Sequence, residues 1–194
     1  MKILVQKILR ECARTIVSTY KPHIIAVTGS VGKTSTKEAI GAVLEAKARS
    51  GDVRVAQGSF NTDWGVPVTI IGGEYPGSSA WRWLKIVLRG LHLCLWKNSS
   101  YPTTLVLEMG ADHKGDIHRL VTIAPPAVAV VTAIAPVHLE HFGTIETIAR
   151  EGCKFGACLC LVSQRPVQLS TTSLSQCNSF IVMRVTNPYD LQHI

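Results

Sequence analysis

An apolar segment, a glycine-bearing loop and a helical segment follow one another near the amino terminus, and this order restricts the fold more than any other feature of the sequence. Residues His23 to Val27 are mostly apolar and rich in β-branched side chains, as expected for a buried strand. The loop that follows reads Thr28-Gly29-Ser30-Val31-Gly32-Lys33-Thr34-Ser35. Residues Thr34 to Ala46 are predicted to form a helix. A strand, a loop and a helix in this order are typical of a parallel sheet covered by helices.

The same alternation continues along the chain. Apolar residues recur at helical spacing between Ile3 and Val17, which predicts an amphipathic helix before the first strand. Further strands are predicted at Val53 to Ala56, Thr103 to Glu108 and Ala127 to Thr132, and further helices near Lys114 to Ile123 and Thr144 to Glu151. We therefore expect an α/β fold with a mostly parallel sheet and helices on both faces.

The glycine-bearing loop is the strongest functional signal in the sequence. Its glycines allow backbone N–H groups to close around a phosphate, and the helix that follows presents the positive end of its dipole. Lys33 can reach the β and γ phosphates of a nucleotide, and Thr34 supplies a hydroxyl for Mg²⁺. Val27 stands where the full pattern G-x-x-x-x-G-K-[ST] has its first glycine. The loop predicts a nucleotide-phosphate site, with a chance match in a structural turn as the alternative. The predicted phosphate-binding residues are Gly29, Ser30, Val31, Gly32, Lys33, Thr34 and Ser35.

Two further candidate residues lie at the ends of later strands. Glu108 ends an apolar strand, and ligands collect beyond the carboxyl ends of parallel strands, so Glu108 can face the same crevice as Lys33 and bind a metal ion. An acid that simply caps a loop is the alternative. His138 follows the predicted strand at Ala127 to Thr132 and is either a ligand or a core histidine.

Composition limits the classes of protein to which this chain can belong. With 194 residues, 46% hydrophobic and 17% charged, the chain is expected to form one compact domain. Its six cysteines have neither disulfide-framework nor zinc-finger spacing, which favours a reducing compartment. Charges within the first 20 residues interrupt the apolar core that a signal peptide needs, so a cytoplasmic location is expected. The basic residues are scattered and no aromatic stacking platform accompanies them, so no nucleic-acid partner is expected.

Residues 81 to 96 carry a second amphipathic pattern. The segment is too short to span a bilayer and contains Lys85 and Arg89. On a helix, one side would carry Trp81, Leu84, Leu88, Leu91 and Leu95. Two interpretations stay open, a helix packed on the domain and a helix lying on a membrane surface. The net charge of +7 suits anionic lipid and a phosphate-rich substrate equally.

Taken together, these motifs resemble the central ATP-binding domain of the Mur ligase family, which builds the peptide of the bacterial cell wall. The loop T-G-x-x-G-K-T-S without the first glycine is that family's form. The other matching motifs are Lys33 to Glu38, Asn61 to Pro67 (N-T-D-W-G-V-P), Glu108-Met109-Gly110-Ala111 with Gly115-Asp116-Ile117, and His138-Leu139-Glu140 with Phe142-Gly143. The resemblance covers about Lys21 to Arg150.

The resemblance implies a P-loop NTPase-like domain and an ATP-dependent ligation in peptidoglycan precursor synthesis. A carboxylate would take the γ-phosphoryl group of ATP to form an acyl phosphate, and an amine would then displace phosphate. The implied partners are UDP-N-acetylmuramoyl-tripeptide and D-alanyl-D-alanine, bound through other domains. The implied catalytic residues are Lys33, Glu108 and His138. Thr34 and Glu108 would hold one Mg²⁺, Glu108 and His138 a second, while Asn61 and Thr62 would lie on the uridine-nucleotide side. A helix cap at Asn61 is the alternative.

The chain departs from the family near its carboxyl end. The family pattern A-R-x-K carries a lysine, carbamylated in many members, where this chain has Gly152, and Lys154 is out of register. We expect an amino-terminal helix over 1–21, an incomplete ATP-binding domain over 22–151, and a divergent tail over 152–194 that is poorly ordered or frame-shifted. The leading hypothesis is a fragment of a ligase that is inactive alone. A non-catalytic MgATP-binding remnant and an unrelated P-loop kinase or NTPase are the alternatives.

Overall fold

The computed structural model describes residues 2–29, 31–74, 76–110, 115–132 and 158–161. The helices are α1 (Lys2–Tyr20), α2 (Lys33–Glu45), α3 (Gly65–Ile71), α4 (Ala80–Leu95) and α5 (Asp116–Ile123). The strands are β1 (His23–Thr28), β2 (Val53–Val55), β3 (Thr104–Glu108), β4 (Val128–Val131) and β5 (Cys158–Leu161). Within these ranges, no helix is both long enough and apolar enough to cross a bilayer.

The five strands form one parallel sheet in the order β2-β3-β1-β4-β5. The central strand β1 pairs with β3 and β4, so that Ile25 lies level with Val106 on one side and with Val128 on the other. Parallel sheets need both faces covered, because their strands join through crossovers that place helices on the faces. The predicted α/β fold is confirmed.

The larger hydrophobic core lies on one face of the sheet. Alternate residues of β1 and β3, such as Ile24 and Leu105, point into it. Helices α1, α3, α4 and α5 close this core with buried side chains that include Leu9, Ala13, Ile16, Ile70, Ile86, Leu93, Leu120 and Ile123. Helix α1 therefore belongs to the same core as the sheet. Helix α2 packs on the opposite face, where Gly41 approaches the Val55 side chain.

The carboxyl end of α3 is held by a partly buried arginine and a buried tyrosine. Arg54 Nη1 donates to the carbonyl of Ile70 at 2.7 Å, and the Tyr101 hydroxyl donates to the same oxygen at 2.7 Å. The Arg54 guanidinium lies 5.0 Å from the centroid of the Tyr101 ring, a cation–π contact. Burial raises the pKa of Tyr101 to about 12. These contacts join the edge strand β2 to the end of α3.

Most predicted elements are found within a few residues of the expected positions. Helix α3 was not predicted, and neither was β5, which lies inside the predicted tail and pairs with β4. The predicted helix at Thr144 to Glu151 and the rest of the tail lie outside the described residues. The division into segments 1–21, 22–151 and 152–194 stays a prediction.

Candidate nucleotide site

The glycine-bearing loop lies at the carboxyl end of β1, in the middle of the sheet. Gly29 and Gly32 have φ angles of 132° and 84°, in the region that favours glycine. Gly32 precedes α2 directly, so the amino end of that helix and its dipole face the loop. Lys33 Nζ donates to the Gly29 carbonyl at 2.6 Å. This geometry is what a phosphate-binding loop requires, although Ser30 lies outside the described residues.

Glu108 lies next to this loop, at the end of the neighbouring strand β3, and is 1% exposed. Its Oε2 accepts a hydrogen bond from Thr34 Oγ1 at 3.0 Å. Its Oε1 accepts one from Asn61 Nδ2 at 3.1 Å. The carboxylate is thus shared between α2, β3 and the segment that precedes α3.

Lys37 supplies the opposite charge. Its side chain is buried, and its Nζ lies 3.6 Å from Glu108 Oε2 and donates to the Gly58 carbonyl at 2.6 Å. A buried ammonium is costly unless a counter-charge and hydrogen-bond acceptors surround it, and both are present here. Lys37 was not assigned a role from the sequence. The available signal was its spacing of three residues from Thr34, which places both side chains on one face of α2.

Asn61 is fixed by a close backbone approach. The Gly110 N–H donates to the Asn61 carbonyl at 2.7 Å, and a Cβ at Gly110 would lie 2.9 Å from Asn61 Cγ. Thr62 has a different role, because its Oγ1 accepts the Gly65 N–H at 3.3 Å at the start of α3. Thus Thr62 caps the helix, while the Asn61 amide is directed at Glu108.

The oxygen atoms at this site fit a hard divalent cation. Thr34 Oγ1 and Glu108 Oε2 are in contact, and hydroxyl and carboxylate oxygens are ligands that Mg²⁺ prefers. Among the described residues, no group of three or more histidine, cysteine or acidic side chains could hold a metal by itself. A metal ion bound by Thr34 and Glu108 would have further coordination positions, which phosphate or water oxygen atoms can fill. His138, the predicted ligand of a second Mg²⁺, lies outside the described residues.

Comparison with known proteins identifies the domain. The family described as "Mur ligase middle domain" matches residues 89–159. The chain is 37% identical over 127 residues to the UDP-N-acetylmuramoyl-tripeptide--D-alanyl-D-alanine ligase of Mycobacterium tuberculosis. Through this part, the chain is similar to the Mur ligase family. An unrelated P-loop kinase or NTPase is no longer needed to explain its motifs.

Further Mur ligases are similar to this chain. The corresponding ligase of Escherichia coli is 32% identical over 128 residues, which is 66% of this chain and 22% of the ligase. The crystal structure of MurF ligase from Thermotoga maritima in complex with ADP superposes with a TM-score of 0.57 and 31% identity, over 81% of this chain and 32% of that chain. The match to the Mycobacterium tuberculosis ligase covers 66% of this chain and 19% of the relative. This chain thus spans only about a fifth to a third of the length of the Mur ligases it matches.

The structure brings together most of the predicted site residues that it describes. Lys33 and Thr34 come from the loop and α2, Glu108 from β3, and Asn61 from the segment before α3. Lys37 and Gly110 also belong to this cluster, and neither was assigned a role from the sequence. Their roles depend on burial and on close approach, which only the folded chain defines.

Proposed function

We propose that this chain is the MgATP-binding part of an ATP-dependent amide ligase of peptidoglycan precursor synthesis. The observation that carries the proposal is the contact between Thr34 and Glu108, which joins the end of the glycine-bearing loop to the acid of the adjacent strand. A loop hydroxyl next to a strand-end carboxylate is the arrangement by which P-loop proteins hold Mg²⁺ against nucleotide phosphates. The similarity to MurF ligase in complex with ADP supports the same nucleotide class.

Each residue of the site has a physical task in this proposal. The loop N–H groups and the amino end of α2 bind phosphate oxygens. Lys33 moves its ammonium from the Gly29 carbonyl to the β and γ phosphates. Asn61 and Lys37 keep the Glu108 carboxylate fixed, so that its Oε2 stays directed at Thr34. Bound Mg²⁺ would neutralise charge on the phosphates, which is the main requirement of phosphoryl transfer.

The substrates follow from the relatives. We infer that the whole reaction joins D-alanyl-D-alanine to UDP-N-acetylmuramoyl-tripeptide, the two molecules in the names of the similar ligases. An acyl phosphate intermediate and a cytoplasmic location are part of the same proposal. His138 is proposed to bind a second Mg²⁺ together with Glu108. Asn61 and Thr62 are proposed to lie on the uridine-nucleotide side. Holding both reactants in line supplies about 7–11 kcal/mol of a barrier reduction in favourable cases. Because the relatives are several times longer, we expect the 194-residue chain tested alone to bind nucleotide without forming the amide.

The test is calorimetric titration of the chain with MgADP and MgATP. Lys33→Ala removes a charged hydrogen bond, worth about 1.5–3 kcal/mol, and is expected to weaken binding by about tenfold to a hundredfold. Lys47→Ala, which removes an exposed lysine just beyond α2, is the matched control and should leave the affinity unchanged. Equal affinities of wild type and Lys33→Ala would show that the loop is not the site.

A second assay tests whether the chain alone forms the amide. The chain is mixed with MgATP, the tripeptide nucleotide and D-alanyl-D-alanine, and phosphate release and amide formation are both followed. Nucleotide binding without amide formation fits a part of a ligase. Amide formation by the chain alone would contradict the expectation that other domains hold the substrates, while leaving the nucleotide site in place.

A further inference from the structure

Helix α4 has two apolar faces, and within the part of the chain that the structure describes only one of them is buried. Ile86, Gly90 and Leu93 are buried in the core, and a Cβ at Gly90 would lie 3.3 Å from the Cβ of Cys12 in α1. The other face carries large apolar side chains at heptad spacing, here called the outer stripe. Its members are Trp81 (63% exposed), Leu84 (44%), Leu88 (55%), Leu91 (41%) and Leu95 (71%).

The outer stripe is larger than the scattered apolar exposure of an ordinary surface. Five large side chains follow one helix face over its full 16 residues, and contiguous exposed patches of this kind mark sites of interaction. The sequence pattern had left open whether these residues pack on the domain. In the structure they do not, because the packed face is the one that contains Ile86 and Leu93.

The charges beside the stripe determine which partner fits. Arg82, Lys85 and Arg89 are exposed on the same helix, and α4 contains no aspartate or glutamate. Lys85 Nζ lies 5.8 Å from the centroid of the Trp81 ring. A second copy of α4 would bring like charges together along the seam, which disfavours self-association through this face. An anionic surface avoids that repulsion.

We propose that the outer stripe and its flanking cations form a membrane-surface element that lies flat on an anionic lipid bilayer. Heptad apolar residues would enter the boundary between headgroups and acyl chains, while the arginine and lysine side chains would contact lipid phosphates. Exposed tryptophans at both ends, Trp81 and Trp96, suit the same depth, because indole rings concentrate at the membrane interface. The packing of α4 against α1 holds the helix parallel to the domain surface, so the element attaches to the bilayer and does not insert across it.

The experiment is liposome flotation of the full 194-residue chain. Vesicles of equal parts phosphatidylglycerol and phosphatidylcholine are expected to carry the protein at low salt, and vesicles of phosphatidylcholine alone are not. Raising the salt to molar concentration should release the protein, because the charged contribution is screened. Replacing Arg82, Lys85 and Arg89 together by serine should weaken binding by about a hundredfold, given the usual contribution of a basic residue near an anionic surface.

The apolar contribution is tested by a second variant with a matched control. Leu84→Ser, Leu88→Ser and Leu91→Ser combined should abolish flotation, while Val43→Ser, at an apolar position of α2 that is 61% exposed, should not change it. Far-ultraviolet circular dichroism checks that each variant keeps its helices. Titration with MgADP gives a separate readout, since α4 takes no part in the proposed nucleotide site.

Three results would overturn the proposal. The first is absence of the wild-type protein from the floated fraction at low salt. The second is equal binding to anionic and neutral vesicles. The third is a stable dimer in multi-angle light scattering that the leucine variant abolishes, which would assign the stripe to a second copy. Loss of nucleotide binding alone would count against the proposed function and leave the membrane element standing.

Discussion

Replacing Lys37 by methionine is expected to destabilise the fold strongly, because it leaves a buried carboxylate without its counter-charge. Methionine has a similar shape but neither the charge nor the donor of lysine. Glu108, which is 1% exposed, would keep the hydrogen bonds from Thr34 and Asn61 and lose the ammonium 3.6 Å away. Removing one partner of a buried ion pair costs about 3–5 kcal/mol. The two remaining hydrogen bonds place the expected loss of unfolding free energy near the lower limit, at about 3 kcal/mol.

The measurement is urea unfolding at neutral pH, followed by circular dichroism. Lys33→Met is the matched control, since Lys33 is only partly buried, and it is expected to cost less than about 1 kcal/mol. The double variant Lys37→Met with Glu108→Gln removes both charges and should be more stable than Lys37→Met alone. The electrostatic explanation is refuted if Lys37→Met unfolds at the wild-type urea concentration, or if the double variant is no more stable than the single one.

Two further predictions concern the neighbourhood of the site and the end of α3. Gly110→Ala places a methyl group 2.9 Å from Asn61 Cγ, so the free energy of unfolding measured in urea is expected to fall by about 1–3 kcal/mol. MgADP binding measured by calorimetry should weaken as well, and unchanged values of both quantities would contradict the prediction. Burial raises the pKa of Tyr101 from 10.0 to about 12, so the unfolded chain releases the phenolic proton first and stability falls as pH rises from 10 to 12. Between pH 10 and pH 12, the unfolding free energy measured in urea should fall by about 2–3 kcal/mol more in the wild type than in Tyr101→Phe. Parallel pH profiles of the two proteins would disprove this.

Local sequence patterns were sufficient for the central strands and for the position of the glycine-bearing loop between β1 and α2. β1, β3 and β4 are apolar runs bounded by turn residues or loops, and such runs can be recognised without tertiary information. Helix α3 could not be recognised in the same way. It has only seven residues, all of them buried, and it contains both a glycine and a proline, so no amphipathic period is present. β5 is similarly short, with four residues.

Two other features that the sequence did not predict, at Lys37 and in α4, depend on tertiary contacts. From the sequence, Lys37 has the pattern of an ordinary exposed residue on a helix. In the fold, it contacts Glu108 and the Gly58 carbonyl. In α4, apolar residues occupy two faces, so periodicity alone could not decide between Leu88 and Leu93 as the residue that packs. The burial of Lys37 and the choice of the packed face of α4 therefore depend on position in the fold and not on residue type.

The contacts around Glu108 come from segments far apart in sequence. Thr34 and Asn61 are 74 and 47 positions from Glu108, so the cluster exists only once the sheet has formed. A ligand that requires this cluster binds the native state and not the unfolded chain, and mass action then shifts the folding equilibrium toward the native state. At a free concentration of a hundred times its dissociation constant, such a ligand adds about 2.7 kcal/mol to stability. Nucleotide would thereby slow proteolysis at sites remote from the loop, including α1 and α4, and the supply of nucleotide would influence how long the protein persists in a cell.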